Sequence, residues 1–312
     1  MNKRIFTFLF VPLMLTAAHF TMAEQYLQAR RIGVTGCHTD QNWETFLRGL
    51  RELGYEEGKN ITIECGGVER LVREGVDVIV TRSGVSTHAA RQATNTIPIV
   101  MTVDGEPVKS GVAASLAHPG GNVTGLTSVT SELSGKRLEL LKEIIPTITR
   151  VAILSSFPYP EKSSDFLTTQ TVARALGVQL QPLGVHVSSD FENAFKAAMI
   201  QHAEALITIS HPFISSHMIK IVPFAAKSRL PVMYHRGEFV EAGGLMSYGP
   251  LYSDLYRRTA YFVDRILRGA KPSDLPVEQP TKFELVVNLK TAKQLSLMIP
   301  PNVLMWADRV LE

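Results

Sequence analysis

Apolar and polar positions along this chain follow two alternating rhythms. Short apolar runs rich in Val, Ile and Leu recur from start to finish, and amphipathic stretches separate them, which is the pattern of parallel sheets with crossover helices. The first set of predicted strands covers Arg30–Gly36, Asn60–Cys65, Val76–Thr81, Ile97–Val103 and Asn122–Ser128. A second set covers Arg150–Ser156, Val178–Val185, Ala205–Ser210, Leu230–His235 and Gly244–Gly249. A long helix over Leu251–Gly269 follows, then prolines at 272, 276 and 280, a further strand FELVVNL from Phe283, and two closing helices in TAKQLSL and NVLMWADRVL.

The two sets echo each other. RIGVT at Arg31 matches RVAIL at Arg150, IPIVMTVDGEPV at Ile97 matches LPVMYHRGEFV at Leu230, and GGNVTG at Gly120 matches GGLMSYG at Gly243. The offsets, 119, 133 and 123 residues, point to two copies of one doubly wound unit. GGNVTGLT itself is one residue short of a phosphate-binding loop, with Leu126 where the lysine belongs. The order of elements excludes that role: the stretch VKSGVAASLAH reads as a helix before the glycines and NVTGLTS as a strand after them, whereas a phosphate loop needs strand first and helix second.

The start of the chain sets the expected compartment. Lys3 and Arg4, an apolar run from Ile5 to Leu15 and the small-x-small triplet Thr21-Met22-Ala23 read as a secretory signal peptide with cleavage after Ala23, which makes the expected location periplasmic. Removing residues 1–23 leaves 312 − 23 = 289 residues, and losing Lys3 and Arg4 lowers the formal charge from +3 to +1. Near-neutrality argues against nucleic acid as partner. Cys37 and Cys65 follow the first two strands, neighbours in a sheet ordered 2-1-3-4-5, and in an oxidising compartment a disulfide between them is expected.

The pieces RELGYEEGKNITIE, ARQATNTIPIVMTV, SGVAASLAHPGGNVTGLT, KRLELLKEIIPTITRVAIL, EFVEAGGLMSYGP, FVDRILRGAKPSDLPVEQPTKFELVVNLKTAKQL and IPPNVLMWADRVLE occur in order over nearly the whole mature chain. In these the sequence resembles the ABC transporter substrate-binding proteins of the tryptophan/tyrosine-binding type. That resemblance implies a type I periplasmic binding protein fold, α/β, with two doubly wound parallel-sheet lobes joined by a hinge of three crossing segments and a ligand clamped between them. On it, residues 24–128 and 249–277 form lobe 1, and 129–248 with 278–312 form lobe 2. It also implies an ABC permease as partner, no cofactor and a monomer. Two departures from the family pattern lie near the lobe 1 cleft: the short connection Gly66–Gly75, and Arg82 in the loop RSGVST.

In open α/β sheets ligands sit beyond the carboxyl ends of strands, so the strand-end loops supply the candidate residues. Ser83, Ser86 and Thr87 open a helix and suit a ligand carboxylate, plain N-capping being the other reading. Arg82 would add a bidentate contact to an acid or stand solvated at the surface. Glu106 and Glu238, one per set, would face each other and hold an ammonium group, or serve as helix-start acids favoured by the dipole. His211, Tyr234 and Tyr248 complete the expected ligand-binding set, with Tyr248 also read as a hinge residue packing between lobes. Thr39, Asp40 and Trp43 follow the first strand, with stacking or burial open for Trp43; Tyr252, Tyr256 and Tyr261 read as helix packing. No G-x-S-x-G elbow, H-E-x-x-H pair or metal-ligand spacing is present, so the expectation is a solute receptor rather than an enzyme. A sensory receptor for a membrane signalling protein and an exported enzyme using Glu106 with Glu238 or His211 are the alternatives.

Overall fold

A computed structural model of the protein describes residues 29–36, 41–156 and 160–312. The expected signal peptide, Cys37, Thr39 and Asp40 lie outside the described residues. Five strands build the first sheet: β1 (Arg30–Thr35), β2 (Ile61–Gly66), β3 (Val78–Thr81), β4 (Ile99–Asp104) and β5 (Val123–Thr127). All pair in parallel, in the order β2-β1-β3-β4-β5. The second sheet holds β6 (Arg150–Ser155), β7 (Gln179–Gly184), β8 (Ala205–Thr208), β9 (Val232–Tyr234), β10 (Met246–Pro250), β11 (Phe283–Asn288) and β12 (Arg309–Leu311). Its order is β12-β11-β10-β9-β8-β6-β7, with only the β10–β11 pair antiparallel. Read from the β7 edge, its first five strands repeat the order of the first sheet, as the internal echo predicts. The strand β12 is an addition: residues 309–311 were expected to end a helix.

The helices connecting the first sheet are α1 (Gln41–Glu52), α2 (Val68–Glu74) and α3 (Gly84–Ala93). Those of the second part are α4 (Thr130–Ile144), α5 (Ser164–Leu176), α6 (Asp190–Ile200), α7 (Pro212–Ser216), α8 (Met218–Lys227), α9 (Glu238–Glu241), α10 (Tyr252–Leu267), α11 (Leu289–Gln294) and α12 (Pro301–Trp306). Strand residues feed cores on both faces of each sheet: Val78 and Val80 enter one cluster with α1 and α10, and Ile79 enters the other with Leu71 and Ala90. Two-sided burial is what makes parallel strands read as continuous apolar runs. Although α10 follows β10 of the second sheet, Tyr252, Tyr256, Phe262 and Val263 pack with Trp43, Phe46 and Leu50 of α1.

One predicted helix is absent. Residues 107–111 form a turn and 112–118 continue through bends, with Ala113 N–H donating to the Pro107 carbonyl and Ala114 N–H to that of Pro119. Gly111 takes a positive φ of 73°, and Val112 and Ala113 turn inward to the core. A helix here would be held mainly by the apolar face it buries, and of residues 108–118 only Val112 and Ala113 are buried, with Leu116 partly so.

The chain passes between the sheets three times: after β5, after β10, and between Glu278, which bridges to Leu126 beside β5, and β11. Val129, at the first passage, sits in the left-handed region (φ 44°, ψ 33°), an unusual place for a β-branched residue. Two glycines belonging to the repeated motif stand just before the first two passages. A Cβ on Gly125 (φ 126°) would lie 2.1 Å from the Met101 carbonyl oxygen, and one on Gly249 2.2 Å from that of His235. Opposite Gly125 the register slips between Met101 and Asp104, a bulge that ends β4 on Asp104.

Candidate functional site

The carboxyl ends of β1, β3 and β4 face those of β6, β8 and β9, and side chains of the two sides meet across the gap. Lys109 Nζ, beyond β4, donates to Ser164 Oγ at the start of α5. Asn42 Nδ2, on α1, donates to Glu238 Oε1 on α9 at 2.9 Å. β1 and β4 are two strands apart, which at strand spacing is about 10 Å, the width of a small molecule.

At the β4 end the groups are acidic. Asp104 is almost fully buried; its Oδ1 accepts the Glu106 amide at 3.1 Å and its Oδ2 has no hydrogen-bond partner. Burial raises its pKa; the Glu106 amide opposes the shift, and the Glu106 charge adds to it. Across the gap Asp165, on α5, accepts Ser134 Oγ–H at 2.8 Å, and burial raises its pKa too, against the Ser134 hydrogen bond and the nearby Arg137 charge. Arg137 is completely buried; its Nε donates to the Tyr248 carbonyl at 2.7 Å and its Nη1 to Ser134 Oγ at 3.2 Å. Arg137, Ser134 and Asp165 thus form one line from β10 to the acidic end.

At the other end arginines meet tyrosines. Tyr252 and Tyr256 stand one turn apart on α10. Arg236 lies over the Tyr252 ring at 4.4 Å, while Arg82 donates its Nε to Tyr256 Oη at 2.8 Å and its Nη1 to the Gly36 carbonyl at 2.7 Å. Guanidinium–aromatic contacts of this kind contribute roughly 0.5–2 kcal/mol each. Arg236 also grips Glu238 with both forks, Nε to Oε2 at 2.9 Å and Nη2 to Oε1 at 2.5 Å. Burial would raise the Glu238 pKa, but these bonds hold it below the ordinary carboxylate range. Behind them His235 is fully buried between Thr208 Oγ1 and Ser215 Oγ, both 3.0 Å away, and desolvation with the Arg137 and Arg236 charges keeps it neutral.

Several expected contacts take other places. Ser83 and Ser86 cap α3 reciprocally, with Ser83 Oγ accepting from the Ser86 amide at 3.2 Å and Ser86 Oγ accepting from the Ser83 amide at 3.2 Å. Thr87 is fully buried and donates to the Ser83 carbonyl at 2.9 Å beside Thr81. Capping thus engages the Ser83 and Ser86 hydroxyls, and the Thr87 hydroxyl is engaged by the Ser83 carbonyl and Thr81. Tyr234 is not at the gap: it is wholly buried, stacked on Phe239 at 4.7 Å, because β9 turns it to the face covered by α8 and α9. Glu238 is a paired acid rather than one open to an ammonium group. Tyr248 lies within β10, packed near Phe283 in the lobe 2 core. His211 caps α7, accepting the Phe213 amide at 3.2 Å, and burial lowers its pKa. Glu106 is half-exposed, 3.6 Å from Lys109, and Trp43 is core. Asn42, Asp165 and Arg137 were not anticipated; the run SSD, with Ser163 as N-cap of α5 and Asp165 in its first turn, was the one sequence signal for Asp165. Cys65 is disulfide-bonded. Among the described residues no group of three or more His, Cys, Asp or Glu side chains converges as a metal site would.

Two parallel-sheet lobes, facing through their strand ends and joined by three crossings, define a type I binding-protein fold. The chain belongs to the ABC transporter substrate binding protein family, whose model matches residues 33–311. It is 25% identical over 269 residues to the tyrosine-binding protein of Clostridioides difficile (strain R20291), covering 83% of this chain and 77% of that one. An ABC domain from Streptococcus pneumonia, solved in complex with L-Trp, superimposes with a TM-score of 0.81 at 24% identity over 91% of this chain and 100% of that one. A conserved domain protein of Vibrio cholerae gives 0.82 at 26% identity, with the same coverage.

Proposed function

We propose that this protein is the exported solute receptor of an ABC importer and that it clamps an amino acid, aromatic ones foremost, between its lobes. The observation that carries this reading is the division of the gap into an acidic end (Asp104, Glu106, Asp165) and an arginine–tyrosine end (Arg82 with Tyr256, Arg236 with Tyr252). A zwitterion with a planar side chain matches that division, its ammonium group toward the acids and its ring toward the tyrosines. The relatives that bind tyrosine and tryptophan support the same ligand class. Closure would come from hinge motion at the three crossings, with residues 24–128 and 249–277 moving against 129–248 and 278–312. Export in this reading rests on the signal-peptide pattern expected over residues 1–23, and no helix of the described residues is long and apolar enough to cross a membrane. In this reading the receptor is a monomer whose partner is a membrane permease, and Cys65 pairs with Cys37, the other cysteine of the sequence.

The test is a thermal-shift and calorimetry screen of refolded, ligand-free protein against the twenty amino acids, simple carboxylates, nucleosides and sugars. Tryptophan, tyrosine or phenylalanine should raise the melting temperature most, and the corresponding amines and acids lacking one charged end should fail. Stabilisation by sugars alone would sink the assignment.

A further inference from the structure

Glu238 joins three groups that belong to different parts of the fold. Its carboxylate and the Arg236 guanidinium form a two-pronged ion pair within the second lobe. Each member of that pair then reaches an element of the first lobe. Glu238 Oε1 accepts Asn42 Nδ2 at 2.9 Å, and Arg236 lies 4.4 Å over the ring of Tyr252, which is packed with α1 in the first lobe's core. Asn42 itself is only 6% exposed, so the donor end of the hydrogen bond is shielded from water, while the Glu238 side chain keeps 31% exposure. Opening the lobes at the crossings breaks the Asn42–Glu238 and Arg236–Tyr252 contacts but leaves Arg236–Glu238 intact.

We propose that Asn42, Glu238, Arg236 and Tyr252 form a latch that holds the lobes closed in the absence of ligand. The ion pair is made within one lobe in both states, so closure desolvates an already neutralised unit rather than two separate charges, which keeps the cost of latching low. The latch sets how much of the receptor is closed before ligand arrives, and apparent affinity scales with that fraction. Asn42 and Glu238 are positioning residues here, acting on the lobes.

The scattering arm of the test reads the ligand-free protein and does not depend on the ligand assignment; the tryptophan arm rests on it. Small-angle X-ray scattering gives the radius of gyration of wild type, Asn42→Ala, Asn42→Asp, Asn42→Lys and Glu238→Ala, with the urea midpoint of each variant as the check that both lobes are folded. A hydrogen bond to a charged group corresponds to on the order of a tenfold change in the closed-to-open ratio. Asn42→Ala should therefore expand the protein, Glu238→Ala should expand it at least as much because it also leaves Arg236 uncompensated on closing, and the double variant should expand it no further than Glu238→Ala. Asn42→Asp, facing the Glu238 carboxylate, should open it more; Asn42→Lys should keep it closed. L-Tryptophan dissociation, followed by stopped flow, should quicken in the opened variants. Unchanged dimensions across the Asn42 series would overturn the latch, as would Asp and Lys variants shifted in the same direction. Loss of tryptophan binding without a change in ligand-free dimensions would make these residues ligand contacts and also overturn it.

Discussion

Replacing Gly125 by alanine perturbs the point where β5 leaves the first lobe. The new Cβ would stand 2.1 Å from the Met101 carbonyl oxygen and 2.7 Å from the Met101 amide nitrogen, both backbone atoms of the adjacent strand that no rotamer change can move aside. The backbone φ of 126° adds a conformation that L side chains rarely adopt. Strain of that kind costs roughly 1–3 kcal/mol, and overpacking costs roughly 1–3 kcal/mol more, so about 4 kcal/mol is expected. Gly121, four residues earlier, also has a positive φ (62°), but its Cβ would meet nothing within 4 Å, so Gly121→Ala should cost only about 1–2 kcal/mol. The assay uses the two tryptophans of the chain. Trp43 is 8% exposed in the first lobe's core and Trp306 is 49% exposed on the second lobe, so in a Trp306→Phe background the fluorescence follows first-lobe unfolding. With a urea slope of about 2 kcal/mol/M, Gly125→Ala should lower the midpoint by about 2 M. Equal midpoints for the two alanine variants would refute the steric argument and, with it, the reading that only glycine fits against the Met101 backbone.

Two further outcomes follow from the second lobe. Arg137→Met should cost roughly 3–5 kcal/mol in urea denaturation, because Asp165 loses its buried countercharge and the Tyr248 carbonyl its donor, and Arg137→Lys should not restore the loss, since one ammonium cannot reproduce the fork. His235 is held neutral in the folded protein, so its pKa lies below that of the unfolded chain and its contribution to stability is full above about pH 6.5 and lost as pH falls further. Thermal unfolding of wild type against His235→Gln from pH 8 to 5 should show a smaller loss in the variant, and parallel curves would refute the assignment.

The strands were legible because parallel strands buried on both faces read as continuous apolar runs, and the internal echo carried the lobe count and strand order. The turn and bends over 107–118 were not legible: Val108, Val112 and Leu116 recur at helical spacing, yet Val108 points to solvent and Gly111 turns the chain. β12 was hidden because three residues carry too little pattern to outweigh the helix before them. Site residues fared unevenly. Arg82, Glu106, His211 and Glu238 do lie at strand ends, where the topology puts them. Glu106 and His211 take local partners, but Arg82 and Glu238 also depend on partners far away in sequence, Tyr256 and Asn42, and periodicity records nothing about these.

The route of α10 has a consequence for the order in which the protein can assemble. The first sheet is complete at Thr127, but the cluster around Trp43, Phe46 and Leu50 lacks its cover until Tyr252 and the residues after it exist. Those 252 − 127 = 125 residues must be made before that cover exists. Throughout that interval the apolar face of α1 stands open while the second lobe's strands are being made, so the amino-terminal part of the chain finishes folding only after most of the other lobe has been synthesised.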